Sequence, residues 1–192
     1  MKSYHAAVLI ILMAGVGSGQ ESSPKPEADA HKPRVITTTD LGADPDDEQS
    51  MVRLLVCANE FDLEGLIVST GCWKKYQSNT KMLDKIVDAY GKCVDDLKVH
   101  AEGFPSLNYL RSISVMGQNG YGMSDVGDGK DSPGSDLIIA SVDKDDPRPV
   151  WVGCWGGANN VAQAIWKVRA SRSVSYTHLR AHETIHAISY AV

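Results

Sequence analysis

Four aspartates crowd into eight residues of one stretch, Thr37-Thr38-Thr39-Asp40-Leu41-Gly42-Ala43-Asp44-Pro45-Asp46-Asp47-Glu48. Carboxylates at this density repel one another unless protons or a cation neutralise them. With no His or Cys among them, the oxygen donors suit a hard cation, Ca²⁺ or Mg²⁺, rather than zinc. Gly42 lets the backbone turn tightly enough for Asp40 and Asp47 to converge. A plainer reading accounts for part of the cluster: Asp44 caps a following helix, and Asp46, Asp47 and Glu48 favour its positive end. That reading leaves Asp40 unexplained, because Asp40 ends an apolar strand. An EF-hand does not fit, since no glycine stands at the required place and no Glu closes a twelve-residue loop.

A second candidate is His182-Glu183-Thr184-Ile185-His186. It matches HExxH, in which two His one helical turn apart hold zinc and the Glu acts as base. The six residues that follow include no His, Glu or Asp to complete the site. His178 lies four residues upstream of His182 and could ligate, though not in a familiar arrangement. Residues 172–192 also break from the preceding pattern without a linker. The string Ser175-Tyr176-Thr177-His178-Leu179-Arg180-Ala181-His182-Glu183-Thr184 resembles translated sequencing-adapter readthrough. The segment is therefore expected to be an artefactual tail and not a zinc peptidase. On that reading the natural protein runs on past about residue 171, and this chain is a fragment whose cut sheet exposes an unpaired edge.

Hydrophobic periodicity supplies the elements that must position the acidic loop. Arg34 to Thr39 is short and β-branched, a buried-strand signal. A helix is predicted over 45–59, with Pro45 at its first position and Met51, Leu54, Leu55 and Ala58 at helical spacing. A strand follows at 64–69. A longer helix at 78–97 carries Met82, Ile86, Tyr90, Cys93 and Leu97 on one face. Residues 98–101 read as a third strand and 104–133 as a long loop, a length that is often functional. A short helix at 134–143, a strand at 150–154 and a helix at 158–170 complete the pattern. Alternating strands and helices predict an α/β fold: an open, mostly parallel, Rossmann-like sheet with helices on both faces. Ligands bind beyond the carboxyl ends of such strands, where the loops 40–47 and 155–160 lie.

Composition narrows the class. The chain has 192 residues, with 19 Lys+Arg against 24 Asp+Glu and a net charge of -5, which argues against a nucleic-acid partner. Residues 1–19 read as a secretory signal peptide, with Lys2, an apolar run over 6–16 and the small residues Gly17-Ser18-Gly19. The run is short for a membrane span, and a retained anchor is the alternative. Residues 20–33, with Pro24, Pro26 and Pro33, read as a disordered linker, so the folded domain is expected over 34–171. Export would place the protein in the periplasm or outside the cell, with no membrane partner once the signal is cleaved. There Cys57, Cys72, Cys93 and Cys154 could oxidise; buried thiols at Cys57 and Cys93 are at least as good a reading.

The acidic loop resembles that of the nucleoside hydrolases, whose hallmark is DTDPGxDD. It is more similar still to a nucleoside-hydrolase-like, cellulose-binding branch in which the loop takes the form TTDxGxDPDDEQS. Here that form stands at Thr38 to Ser50, supported by Asn59-Glu60-Phe61-Asp62-Leu63-Glu64-Gly65-Leu66-Ile67, Asp145-Asp146-Pro147-Arg148-Pro149 and Trp155-Gly156-Gly157-Ala158-Asn159-Asn160-Val161-Ala162. The resemblance implies a Ca²⁺-dependent hydrolase of N-glycosidic, ribonucleoside-like bonds. Asp40 would be the catalytic base and a metal ligand, Asp47 a ligand through both oxygens, and the main-chain carbonyl of Trp155 a further ligand. Asp46 would bind sugar hydroxyls. Asn159 or Asn160 falls at the family's GGLTN-like turn, in substrate contact or in a structural role. Where the hydrolases have Asn after the second strand, this chain has Ser69-Thr70-Gly71-Cys72-Trp73; Trp73 suits stacking on a sugar ring, the alternative being a core Trp. A non-catalytic carbohydrate- or cellulose-binding protein is the competing implication. The partner is accordingly a small sugar or nucleoside, or a polysaccharide. Self-association into a homo-oligomer stays open.

Overall fold

A computed structural model of the chain describes residues 32–76 and 79–172. The stretch read as a signal peptide, most of the stretch read as a linker, and nearly all of the tail with its HExxH string lie outside the described residues. Strand β1 (Arg34–Thr39) is β-branched at every position after Arg34 and almost wholly buried. Helix α1 (Pro45–Val56) begins with Pro45 in its first turn, as expected, and buries Met51 and Leu55. Asp44 holds the extended N-cap position, but its side chain makes no cap hydrogen bond; the Asp47 N–H is instead taken by Asp46 Oδ1 at 3.1 Å. The helix ends short of the expected 59, and a 3₁₀ turn at Ala58–Glu60 leads into β2 (Asp62–Val68).

Helix α2 (Lys81–His100) corrects two expectations. Its buried stripe is Leu83, Val87, Tyr90 and Val94, one step round the helix from the face read in the sequence. Met82 and Cys93 are exposed, whereas Ile86 and Leu97 pack at the edge of the core. Both stripes have helical spacing, and only the position of the sheet decides between them. The strand expected at 98–101 does not form. Residues 98–100 continue the helix, where Lys98 and His100 suit its negative end.

The third strand lies instead in the stretch expected to be a long loop. That stretch holds α3 (Leu107–Ser112), capped by Ser106, whose side chain accepts from the Tyr109 N–H, and then β3 (Ser114–Met116). Helix α4 (Pro133–Val142), strand β4 (Val150–Cys154) and helix α5 (Asn159–Ser171) follow close to expectation.

The four strands are parallel in the order β3-β2-β1-β4. A hydrophobic cluster lies on each face. On one, Leu63, Leu66 and Val68 of β2 meet Met51 and Leu55 of α1 and Leu83, Val87 and Tyr90 of α2. On the other, Ile36, Ile67 and Val150 meet Ile138 of α4 and Val161 and Ala164 of α5. The chain steps from β1 to β2 to β3 across the first face, then crosses the second to place β4 on the other side of β1. The strand order therefore reverses between β1 and β4. The helices that follow them, α1 and α5, pack on opposite faces of the sheet, which marks a switch-point crevice at their carboxyl ends, the usual ligand position in such sheets.

At the opposite end, the register between β1 and β2 shifts after Val35, leaving Glu64 as an extra residue. Its buried carboxylate forms a bidentate pair with buried Arg34 (Nε–Oε1 2.6 Å, Nη2–Oε2 3.1 Å) and meets Lys144 Nζ at 3.0 Å. Burial opposes the charged form of Glu64, but hydrogen bonds from Arg34, Lys144 and Ser141 outweigh it and hold the carboxyl below its ordinary 4.5. A group depressed on folding stabilises the fold above its unfolded value and loses that contribution as pH falls through its folded value. Acid unfolding of Glu64→Gln, followed by circular dichroism, should be shallower below pH 4.5 than that of the wild type; matching slopes would remove Glu64 from the acid response.

Cys57, Cys72, Cys93 and Cys154 are all free and exposed, which corrects the buried reading of Cys57 and Cys93. Cys57 caps the end of α1, and Cys93 lies beside the buried stripe of α2 rather than on it. Among the described residues no helix is long and apolar enough to cross a membrane.

Candidate functional site

The acidic loop sits in the crevice. Asp40 follows directly on β1 and is 6% exposed. Its carboxylate is wedged between two glycines from different loops. A Cβ on Gly156 would lie 2.7 Å from Asp40 Oδ1, and one on Gly71 would overlap Oδ2 far inside contact distance. Gly42, with φ of 87°, makes the left-handed turn between Asp40 and α1. That turn returns the chain so that Asp47, on the first turn of α1, faces back to β1. Asp47 Oδ2 accepts from Thr39 Oγ1 at 2.5 Å and from the Asp40 N–H at 3.1 Å. The convergence of Asp40 and Asp47 expected from the spacing is therefore present.

Both acids are held above the ordinary carboxylate range. Burial raises Asp40, with the charge of Asp44 adding to the effect against the opposing hydrogen bond to Asp47 and the nearby Lys74. Burial is also the main cause at Asp47, pushed up to about 6 with the Asp40 and Asp46 charges contributing. Asp44, on the surface, is pushed up to about 6 chiefly by its hydrogen bond with Asp46. A crevice in which carboxyls resist ionisation favours whatever neutralises them, a proton or a cation.

Among the described residues no group of three or more His, Cys, Asp or Glu side chains is placed to hold a metal ion. Asp40 and Asp47 form a pair, whose oxygen-only chemistry fits a hard cation. Two carboxylates supply at most four of the roughly six to eight oxygens that Ca²⁺ takes. Main-chain carbonyls, water and ligand hydroxyls would supply the rest.

The other expected site residues divide around this pair. Asp46 is exposed at the start of α1 and spends Oδ1 on the Asp47 N–H. The Trp155 N–H donates to Thr38 O at 2.8 Å, extending the β1–β4 ladder, which places its carbonyl just before the Gly156 that abuts Asp40. Trp73 is 79% exposed, so it is no core residue. It stands in the turn closed by Gly71 N–H to Lys74 O at 3.1 Å. Asn160 is fully buried, its Oδ1 accepting from the Gln118 N–H at 2.7 Å, which ties down the loop after β3; its Nδ2 is buried without a hydrogen-bond partner.

The sequence marks that loop by its length alone, as part of the 104–133 stretch, and names no residue in it. Gly120 O accepts from Thr70 Oγ1 at 2.9 Å and from Asn159 Nδ2 at 2.6 Å. Gln163 on α5 clasps Gly127 through both N–H and C=O, at 2.8 and 3.0 Å. Gln118 reaches Lys130 O at 2.5 Å and also bonds Ser132. These amides hold residues 117–132 as a wall beside the crevice. The signal available in the sequence was a set of amide residues, Gln118, Asn159, Asn160 and Gln163, at strand ends and on α5.

A family profile described as cellulose-binding Sde182, nucleoside hydrolase-like domain, matches residues 34–190. The chain belongs to that family. Within the Sde182-type nucleoside hydrolase-like fold, a solved structure of a nucleoside hydrolase-related protein from Saccharophagus degradans, associated with carbohydrate metabolism, is 62% identical with a TM-score of 0.78. The likeness covers 80% of this chain and 37% of that one, so the chain spans well under half of its relative. No curated protein matches. The α/β fold and the nucleoside-hydrolase-like branch read from the loop motifs are thus borne out.

Proposed function

We propose that the domain binds polysaccharide of the cellulose class at the β1–β4 crevice. The observation that carries this reading is the placement of Asp40 and Asp47 at the switch point, beside an exposed Trp73, in a chain whose family is described as cellulose-binding. Carboxylates that accept from hydroxyls beside an aromatic face are the groups a sugar requires. The leader read at 1–19 supports export, which would bring the domain to extracellular polysaccharide. Retention on microcrystalline cellulose, measured by depletion from solution, should be saturable and competed by soluble cello-oligosaccharides. No retention above that on an inert resin would overturn the reading.

A second reading, Ca²⁺-dependent hydrolysis of a glycosidic bond, is favoured by the convergence of the Asp40 and Asp47 carboxylates at the end of β1, an oxygen-only pair that suits a hard cation. Asp40 and Asp47 would hold the ion, with the Trp155 carbonyl as a further donor. Bound Ca²⁺ would orient vicinal hydroxyls of the sugar. Asp40 would take the proton of an attacking water, its carboxylate fixed in place by Gly71 and Gly156. Asp46, exposed at the mouth, would accept from sugar hydroxyls. Isothermal titration of Ca²⁺ should give binding that Asp47→Ala weakens about tenfold or more, the loss of a ligand costing upwards of ~1.4 kcal/mol; equal binding in both would sink the metal assignment.

A further inference from the structure

Of the large apolar side chains exposed among the described residues, those outside helices α1–α5 and the strands, Trp73, Tyr76, Tyr121 and Met123, fall on the two loops that follow β2 and β3; the others, Trp151 and Trp166 among them, are scattered over α1, α2, α3, α5 and β4. These loops are joined: Tyr76 pairs with Gly120 in an antiparallel bridge, and Thr70 Oγ1 donates to Gly120 O. Both also touch the crevice. The base of the Trp73 turn is Gly71, which packs on the Asp40 carboxylate, and Lys74 at its far end donates through Nζ to Leu41 O. Tyr121 lies against Gly157, its Cδ2 3.1 Å from where a Cβ there would stand. The exposed rings are therefore carried on backbone fixed at several points. Fixed backbone presents an aromatic face at low entropic cost on binding.

We propose that Trp73, Tyr76 and Tyr121 form a stacking rim that takes the flat faces of β-linked glucopyranose rings and leads the glucan chain across the crevice. The inference rests on the carbohydrate-binding reading above and assigns it a subsite and a ligand shape. A β-1,4-linked glucose unit carries its hydroxyls equatorially, so both ring faces are apolar C–H surfaces with polar edges. Such a ring matches an exposed aromatic plane on its face and carboxylates at its edge. The loop wall supplies the rigidity, since Asn159, Gln163 and Gln118 fix it from behind.

The test compares wild type, Trp73→Ala, Trp73→Phe and Trp73→Ala/Tyr76→Ala for retention on microcrystalline cellulose. Cellohexaose and adenosine are titrated in parallel, followed by tryptophan fluorescence. The expected result is at least a fivefold loss in Trp73→Ala, near-complete loss in the double variant, and recovery of most binding in Trp73→Phe, with melting temperatures unchanged because the rings are exposed. Undiminished retention of the double variant would overturn the rim while leaving the binding reading intact. Absent retention of the wild type would overturn both. A fluorescence response to adenosine with none to cellohexaose would overturn the assignment of the rim to a glucan.

Discussion

Arg34→Met should destabilise the domain by about 3–5 kcal/mol, the usual cost of stripping one partner from a buried ion pair. Arg34 is 1% exposed and its guanidinium donates four hydrogen bonds: two to Glu64, one to Arg148 O at 3.0 Å and one to Ser141 O at 2.5 Å. Removing it leaves the Glu64 carboxylate buried with only half-exposed Lys144 as a cationic partner. For a domain of this size the melting temperature should fall by roughly 10 °C. The double variant Arg34→Met/Glu64→Leu should recover more than half of that loss, because no charge is then left unpaired. Thermal denaturation of the single and double variants checks both statements. A single variant within 1 kcal/mol of wild type would show that the pair contributes little. Cellulose retention at low temperature should survive in either variant, since Arg34 begins β1 and Asp40 follows its far end, about 20 Å away at strand spacing.

Gly71→Ala should have the opposite profile, a modest effect on stability and a severe one on the crevice. The added methyl lands on the Asp40 carboxylate, so either the carboxylate or the turn bearing Trp73 must move. Overpacking of this kind costs about 1–3 kcal/mol. The displaced groups, however, are the two that the proposed site needs most. Retention on cellulose should drop about tenfold or more, with a melting temperature that shifts only a few degrees. Gly129→Ala is the control, because a Cβ there meets nothing within 4 Å and residue 129 carries none of the rim, although its φ of 68° carries backbone strain. Loss of binding in Gly129→Ala equal to that in Gly71→Ala would point to general fragility instead of crowding at Asp40.

Much of this arrangement was legible in the residues. The β-branched run before Asp40, the Pro45 helix start and the apolar strand at 150–154 placed the loop 40–47 and the loop 155–160 at the same end of one sheet. Periodicity could not choose between the Met82 and Leu83 stripes of α2, because both repeat at helical spacing and the sheet's position selects one. A three-residue strand such as β3 carries no period at all; its pairing with Leu66, Ile67 and Val68 comes from the crossover geometry. The wedging of Asp40 between Gly71 and Gly156 was equally hidden. Glycine reads as a turn in sequence, and its role as room for a carboxylate from another loop emerges only when the strand ends converge. At Asn160 the sequence left substrate contact and a structural role open, and the bond from the Gln118 N–H to its Oδ1, which holds the loop after β3, emerges only in the fold.

The central claim, that the crevice between β1 and β4 receives a glucan chain, is tested most directly by amide chemical-shift mapping during titration with cellohexaose. Saturable shifts are expected, centred on residues 40–47, 70–76, 119–122 and 155–157, with Arg34, Glu64 and the outer face of α2 unmoved. Shifts confined to other surfaces, such as that around Trp151 and Trp166, or none at saturating ligand, would contradict it.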